Sequence, residues 1–174
     1  AIAKVLADPK SAEDVKRCAC DALGAIGRKE GAKALAAALG EADLTVVGAA
    51  GAAYGRVEAA DKLKTFERAL AALIKRFDAT KTAGGKMDFS DYETFLATAA
   101  RWCDGFAASG DATLAPLATT LADAFYFGAV RVDASDRAGQ NPATPRAKLK
   151  DALLALCAAL DAPATRSLKT KLDS

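Results

Sequence analysis

Apolar residues recur at steps of three and four along most of the chain, and each such stripe marks the buried face of an α-helix. One stripe runs Leu63, Phe66, Leu70, Leu73, Ile74 and Phe77; a second runs Phe89, Tyr92, Phe95, Leu96, Ala99, Trp102, Cys103 and Phe106. A third holds Leu114, Leu117, Leu121 and Phe125 and ends at Gly128. A fourth, Leu149, Leu153, Leu156 and Leu160, is closed by Asp161-Ala-Pro163, leaving a short last helix over Thr165 to Leu172. β-Branched residues are confined to short runs, so the pattern predicts an all-α chain with essentially no strand. Trp102 shares a stripe with Phe95 and Phe106 and reads as core.

Before residue 59 the stripes are shorter and repeat. Val15 to Ile26 aligns with Val46 to Val57, matching Val15/Val46, Ala19/Ala50, Ala22/Ala53, Leu23/Tyr54, Gly24/Gly55 and Ile26/Val57. Between the copies, Gly27 to Gly31 reads as a turn and Ala32 to Leu39 as a second helix capped by Gly40. Each unit is therefore helix, turn, helix. Residues 1–7 match the second helix of a preceding unit, with Asp8-Pro9 stopping it and Ser11 as the next N-cap. The chain thus enters an array partway, as expected of a processed chain or an excised fragment. The matched alanines Ala19, Ala22, Ala50 and Ala53 are expected where helices approach closely.

Leu6-Ala-Asp-Pro9, Val15 through Gly27 and Ala34-Leu-Ala-Ala-Ala-Leu39 resemble HEAT repeats, in particular the short bacterial HEAT-like type. The resemblance covers residues 1–58 and implies antiparallel helix pairs stacked as a right-handed α-solenoid, a frequent scaffold for protein–protein interaction. Some short bacterial members resemble chromophore lyases, and a structurally similar group handles damaged DNA. Residues 59–174 read as degenerate repeats or a helical cap, so that 1–174 forms one helical repeat domain.

Two segments interrupt the helices. Residues 78–87 are flexible by composition, and residues 131–145 form a long polar connection stiffened by Pro142 and Pro145. Gly84-Gly85-Lys86 lacks the flanking glycine and hydroxyl of a phosphate loop, and Asp78, Thr80 and Thr82 lack the terminal carboxylate of a calcium loop. Asp88 and Asp91 open the Phe89 helix, where they cap it.

Composition agrees with close helix packing: roughly a quarter of the residues are alanine, with 52% hydrophobic and only 6% aromatic. The formal net charge is +2, too small to drive strong association with nucleic acid on its own. Acidic residues gather over 88–136, which reads as a solvated face. No histidine is present, which excludes imidazole bases, Ser-His and Cys-His pairs and His-containing zinc sets. Cys18, Cys20, Cys103 and Cys157 lack redox or zinc spacing and read as buried free thiols, pointing to a reducing, cytoplasmic setting. No apolar run is long enough for a membrane span.

These features lead to the expectation of a non-enzymatic α-helical repeat scaffold that binds another protein, without cofactor or metal. Phe125-Tyr126-Phe127 sends three aromatics in successive directions about 100° apart. One of them therefore leaves the buried face as an interface anchor. The candidate partner-binding set is Tyr126 and Phe127 with Arg131, Asp133, Asp136, Arg137 and Asn141 of the following connection. The alternative is nucleic-acid binding by Lys10, Lys16, Arg17, Arg28, Lys29 and Lys33 near the helix starts. A lyase-like or glycosylase-like reading would require a deep site holding groups such as Asp104 and Arg101.

Overall fold

The computed structural model describes residues 1–133 and 140–174, with nothing stated of the Asp133 side chain. About 75% of the chain is helical. The elements run α1 (Ile2–Ala7), α2 (Glu13–Ile26), α3 (Ala32–Ala38), α4 (Leu44–Arg56), α5 (Lys62–Thr80), β1 (Lys86–Asp88) and α6 (Phe89–Ser109). After these come α7 (Ala115–Leu121), a π-helical turn (Ala122–Tyr126), β2 (Arg131–Asp133), α8 (Ala143–Ala159) and α9 (Pro163–Asp173).

Helices α2, α4, α6 and α8 lie side by side in that order, while α1 contacts α3 and α7 contacts both α5 and α9. Helix α4 is the most enclosed, with every residue from Leu44 to Gly55 except Thr45 buried, as expected of a helix apolar all round. Its glycines explain how neighbours come so near. A methyl group at Gly55 would overlap the Gly105 carbonyl of α6, and one at Gly24 of α2 would stand 2.8 Å from Ala53 Cα of α4. The matched glycines Gly24 and Gly55 therefore play the same part, each lying where its helix meets the next. Ala19, Ala50 and Ala53 are buried, Ala53 directly against Gly24. Ala22, expected with them, is only half-buried, because it points away from α4.

Two aromatic clusters fix α5 across the row. Phe66 packs edge-on against Tyr54 at 5.1 Å and Phe106 at 4.8 Å, with Trp102 at 5.7 Å. Phe77 meets Phe95 at 5.1 Å and Phe125 at 4.9 Å. Trp102, Phe95 and Phe106 are core residues, as their stripe predicts. Such ring pairs add about 0.5–1.5 kcal/mol each beyond their burial.

Several local expectations are corrected. The chain is all-α as expected, with one small addition among the described residues: β1 and β2 pair in parallel with Lys86 opposite Arg131, Met87 opposite Val132 and Asp88 opposite Asp133. Both strands read basic, apolar, acidic, and Met87 is buried, so a period-2 pattern exists but is too short to stand out. Residues 78–87 are thus only in part a loop. α5 runs on to Thr80, Gly84 and Gly85 turn the chain with φ of 87° and 72°, and Thr82 N–H bonds Lys86 O at 2.8 Å. The 131–145 connection is shortened from both ends, by β2 and by α8, in whose first turn Pro145 is buried. Helix α2 begins after Ala12 rather than Ser11, whose N–H closes a turn onto Asp8 O at 3.1 Å. Helix α3 ends at Ala38 with Leu39 rather than Gly40 as its C-cap, and Gly40 N–H is bonded to Ala37 O. Asp88 stands at the N-cap of α6 without a side-chain capping bond, because its backbone belongs to β1.

Candidate functional site

The site begins with a backbone irregularity. At the end of α7 the chain widens into the π-helical turn Ala122–Tyr126, closed by Phe127 N–H donating to Ala122 O at 2.9 Å. The extra residue per turn redirects the side chains. Phe125 enters the core, Tyr126 is half-buried, and Phe127 is 38% exposed, the one exposed aromatic side chain among the described residues. π-Turns are rare and frequently mark functional positions. Gly128 follows where a side chain would overlap the Ala124 carbonyl, so the chain can leave the helix sharply.

Around these rings cations collect from helices distant in sequence. Tyr126 and Phe127 meet edge to face at 4.9 Å. The Arg146 guanidinium of α8 lies 4.7 Å from the Tyr126 ring, and Lys171 of α9 lies 5.7 Å from the Phe127 ring and 3.7 Å from the Asp123 carboxylate. Burial raises the pKa of the Tyr92 hydroxyl, and the positive charge of Arg146 partly offsets this. Cation–aromatic contacts at exposed sites contribute about 0.5–1 kcal/mol. The surface that results has an apolar ring at its centre and positive charge at its rim.

Of the residues expected here, Tyr126 and Phe127 form this surface. Arg131 is exposed at the start of β2, its N–H held by Gly85 O at 3.0 Å. Asn141 stands one residue before Pro142, the N-cap of α8, its side-chain oxygen accepting Ala143 N–H at 3.0 Å. Asp133 is described as backbone only, and Asp136 and Arg137 lie outside the described residues. Sequence reasoning missed Arg146 and Lys171. No local pattern marks them, since only the packing of α8 and α9 against the π-turn brings them to the rings.

The basic residues near the first helix starts differ in their surroundings. Lys16 is buried with its ammonium 3.1 Å from Glu41, whose hydrogen bond and charge hold its pKa above the usual lysine range. Arg17 pairs with Asp14 at 3.4 Å, while Lys10, Arg28, Lys29 and Lys33 are not buried. Arg101 pairs with Asp21 at 2.7 Å rather than with Asp104, and lines a hollow of about 230 Å³ with Arg17, Leu44 and Glu93. Asp78 pairs with Lys81 at 2.7 Å, and no group of three metal-ligating side chains gathers among the described residues. Cys20, Cys103 and Cys157 are buried, as expected, and burial raises their pKa values, Cys20 to about 12. Cys18 corrects that expectation: it is exposed on the outer side of α2. No helix among the described residues is long and apolar enough to cross a membrane. Comparison of the chain with protein-family models, with curated proteins and with solved structures finds no match.

Proposed function

We propose that this chain is a non-enzymatic, HEAT-like helical repeat scaffold whose Tyr126–Phe127 face binds another protein. The observation that carries the reading is Phe127, the exposed aromatic side chain on a π-turn, flanked by Arg146 and Lys171. Exposed aromatics with arginine neighbours are the residues on which interface energy concentrates. The positive rim favours a partner that brings an apolar side chain beside carboxylates. The scaffold part of the reading is supported by the unbroken row α2, α4, α6, α8 and by the matched glycines at two of its contacts.

Affinity capture from native extract tests this. The partner held by the wild-type chain should be lost with Phe127→Ala and reduced with Arg146→Ala, while both variants keep the wild-type melting temperature within a few degrees. An unchanged set of captured proteins for Phe127→Ala would overturn the assignment. A titration with DNA and RNA at low and high salt reads the nucleic-acid alternative directly, since phosphate-driven binding weakens steeply with salt.

A further inference from the structure

Between α5 and α7 lies a hollow of about 630 Å³. Its floor is apolar, Leu70 and Ile74 from α5 and Leu117 from α7, with Ala71 exposed at its lip. The charges at its rim come from α5 alone, because α7 has no ionisable side chain. Of these, Asp78 is taken by Lys81 at 2.7 Å. Glu67 and Lys75 are exposed and, among the described residues, have no ion-pair partner. The helices that precede and follow α5 along the chain, α4 and α6, are both described, and neither covers these side chains.

Glu67, Ala71 and Lys75 stand at steps of four, within about 80° of one another around the helix, and so share one face. That face is its own complement. An antiparallel pair of such helices crossing at Ala71 sets each residue against the one equally far on the other side of Ala71, which brings a carboxylate to an ammonium at both edges. A parallel pair would bring like charges together. The reciprocal contact is what a two-fold interface requires, and the small side chain at the crossing lets the backbones approach.

We propose that the Glu67–Ala71–Lys75 face of α5 is a homodimer interface, two copies meeting with these helices antiparallel about a two-fold axis at Ala71. Glu67 pairs with Lys75 of the partner subunit, and Lys75 with Glu67 of the partner subunit. Each α5 seats over the hollow of the other copy and withdraws Ile74 and Leu117 from water. The Tyr126–Phe127 face is built with α8 and α9 and takes no part, so self-association and the binding of another protein are independent.

Sedimentation velocity of the 174-residue chain over a wide concentration range tests the proposal, in reductant so that the exposed Cys18 forms no cross-link. The wild type should pass from monomer to dimer, with the transition weakened by salt. Ala71→Glu places two carboxylates at the axis and should raise the dissociation constant about tenfold or more. Glu67→Lys and Lys75→Glu should each weaken the dimer. An equimolar mixture of those two variants should associate at least as tightly as the wild type, because every pair across the axis is then unlike. All three positions are exposed, so far-ultraviolet circular dichroism should show wild-type helix content. A single monomeric species at every concentration overturns the proposal. So does a dimer indifferent to Ala71→Glu, and so does a mixture that stays as weak as its two components.

Discussion

The indole N–H of Trp102 on α6 donates to the carbonyl oxygen of Val47 on α4 at 3.0 Å. Within α4 that oxygen also faces the N–H of Gly51, one helical turn on. A methyl group at Gly51 would overlap the indole ring. The bond and the glycine are thus one arrangement: a ring laid on a helix backbone, possible only where no side chain stands between. Replacing Gly51 by Ala gains up to about 1 kcal/mol of helix propensity, and the overlap outweighs it. Gly51→Ala should lose about 1–3 kcal/mol in chemical denaturation. Gly55→Ala should lose at least as much, because the obstructing group at Gly105 is backbone and cannot rotate away. Emission from Trp102, the sole tryptophan, reports both transitions.

The two matched alanines should separate in the same assay. Ala53→Leu inserts three carbons beside Gly24 and should cost about 1–3 kcal/mol. Ala22→Leu enlarges a half-buried side chain on the outer face of α2 and should leave the monomer's stability within about 0.5 kcal/mol. Equal losses for the two would contradict the placement of Ala53, and not Ala22, at the contact between α2 and α4.

Asp43 caps α4, its carboxylate accepting Thr45 N–H at 2.8 Å and Val46 N–H at 3.1 Å. The Thr45 hydroxyl bond, aided by these amides, holds its pKa below the usual 3.8, and the Thr113 hydroxyl lowers Asp111 in the same way. A carboxylate with a depressed folded pKa contributes stability that is present above its unfolded value and disappears as pH falls through the folded one. Thermal stability should therefore decline below about pH 4. Asp43→Ala should cost about 1 kcal/mol at pH 7, with the deficit narrowing in acid. A deficit independent of pH would mean that the charge plays no part.

Thiol labelling should divide the four cysteines. With a water-soluble disulfide reagent at neutral pH, Cys18 should react at once. Cys20, Cys103 and Cys157 should react only as the chain unfolds, because burial both blocks access and keeps them protonated. Fast release from more than one thiol in the folded protein would contradict the packing of α2, α6 or α8.

Much of the helical layout could be read from the sequence because each long stripe is buried on one side only. The stripe from Phe66 to Phe77 and the one from Phe95 to Phe106 became α5 and α6, packed through those same rings. The matched Gly24 and Gly55 were legible because close backbone approach admits little else. What escaped depends on chain distant in sequence. Three-residue strands such as Lys86–Asp88 are stabilised by a partner that no local pattern announces. Arg146 and Lys171 look like ordinary surface cations until α8 and α9 carry them to Tyr126 and Phe127. Val15 was matched to Val46 correctly in kind, yet a helix at the edge of a row keeps one side open, and the match alone did not distinguish edge from centre.

The pairing of Met87 with Val132 links the two ends of the stretch that contains α6 and α7. Stacked helical hairpins hold only their neighbours, so an open row frays inward from its tips. A stretch closed into a ring cannot peel in this way, since the strand hydrogen bonds must rupture before either helix can leave. Amide protons of α6 and α7 should therefore exchange with solvent together, in one cooperative event of high free energy, while those of α1 exchange through local opening. Three residues on each side of a miniature sheet thereby set the order in which the whole molecule comes apart.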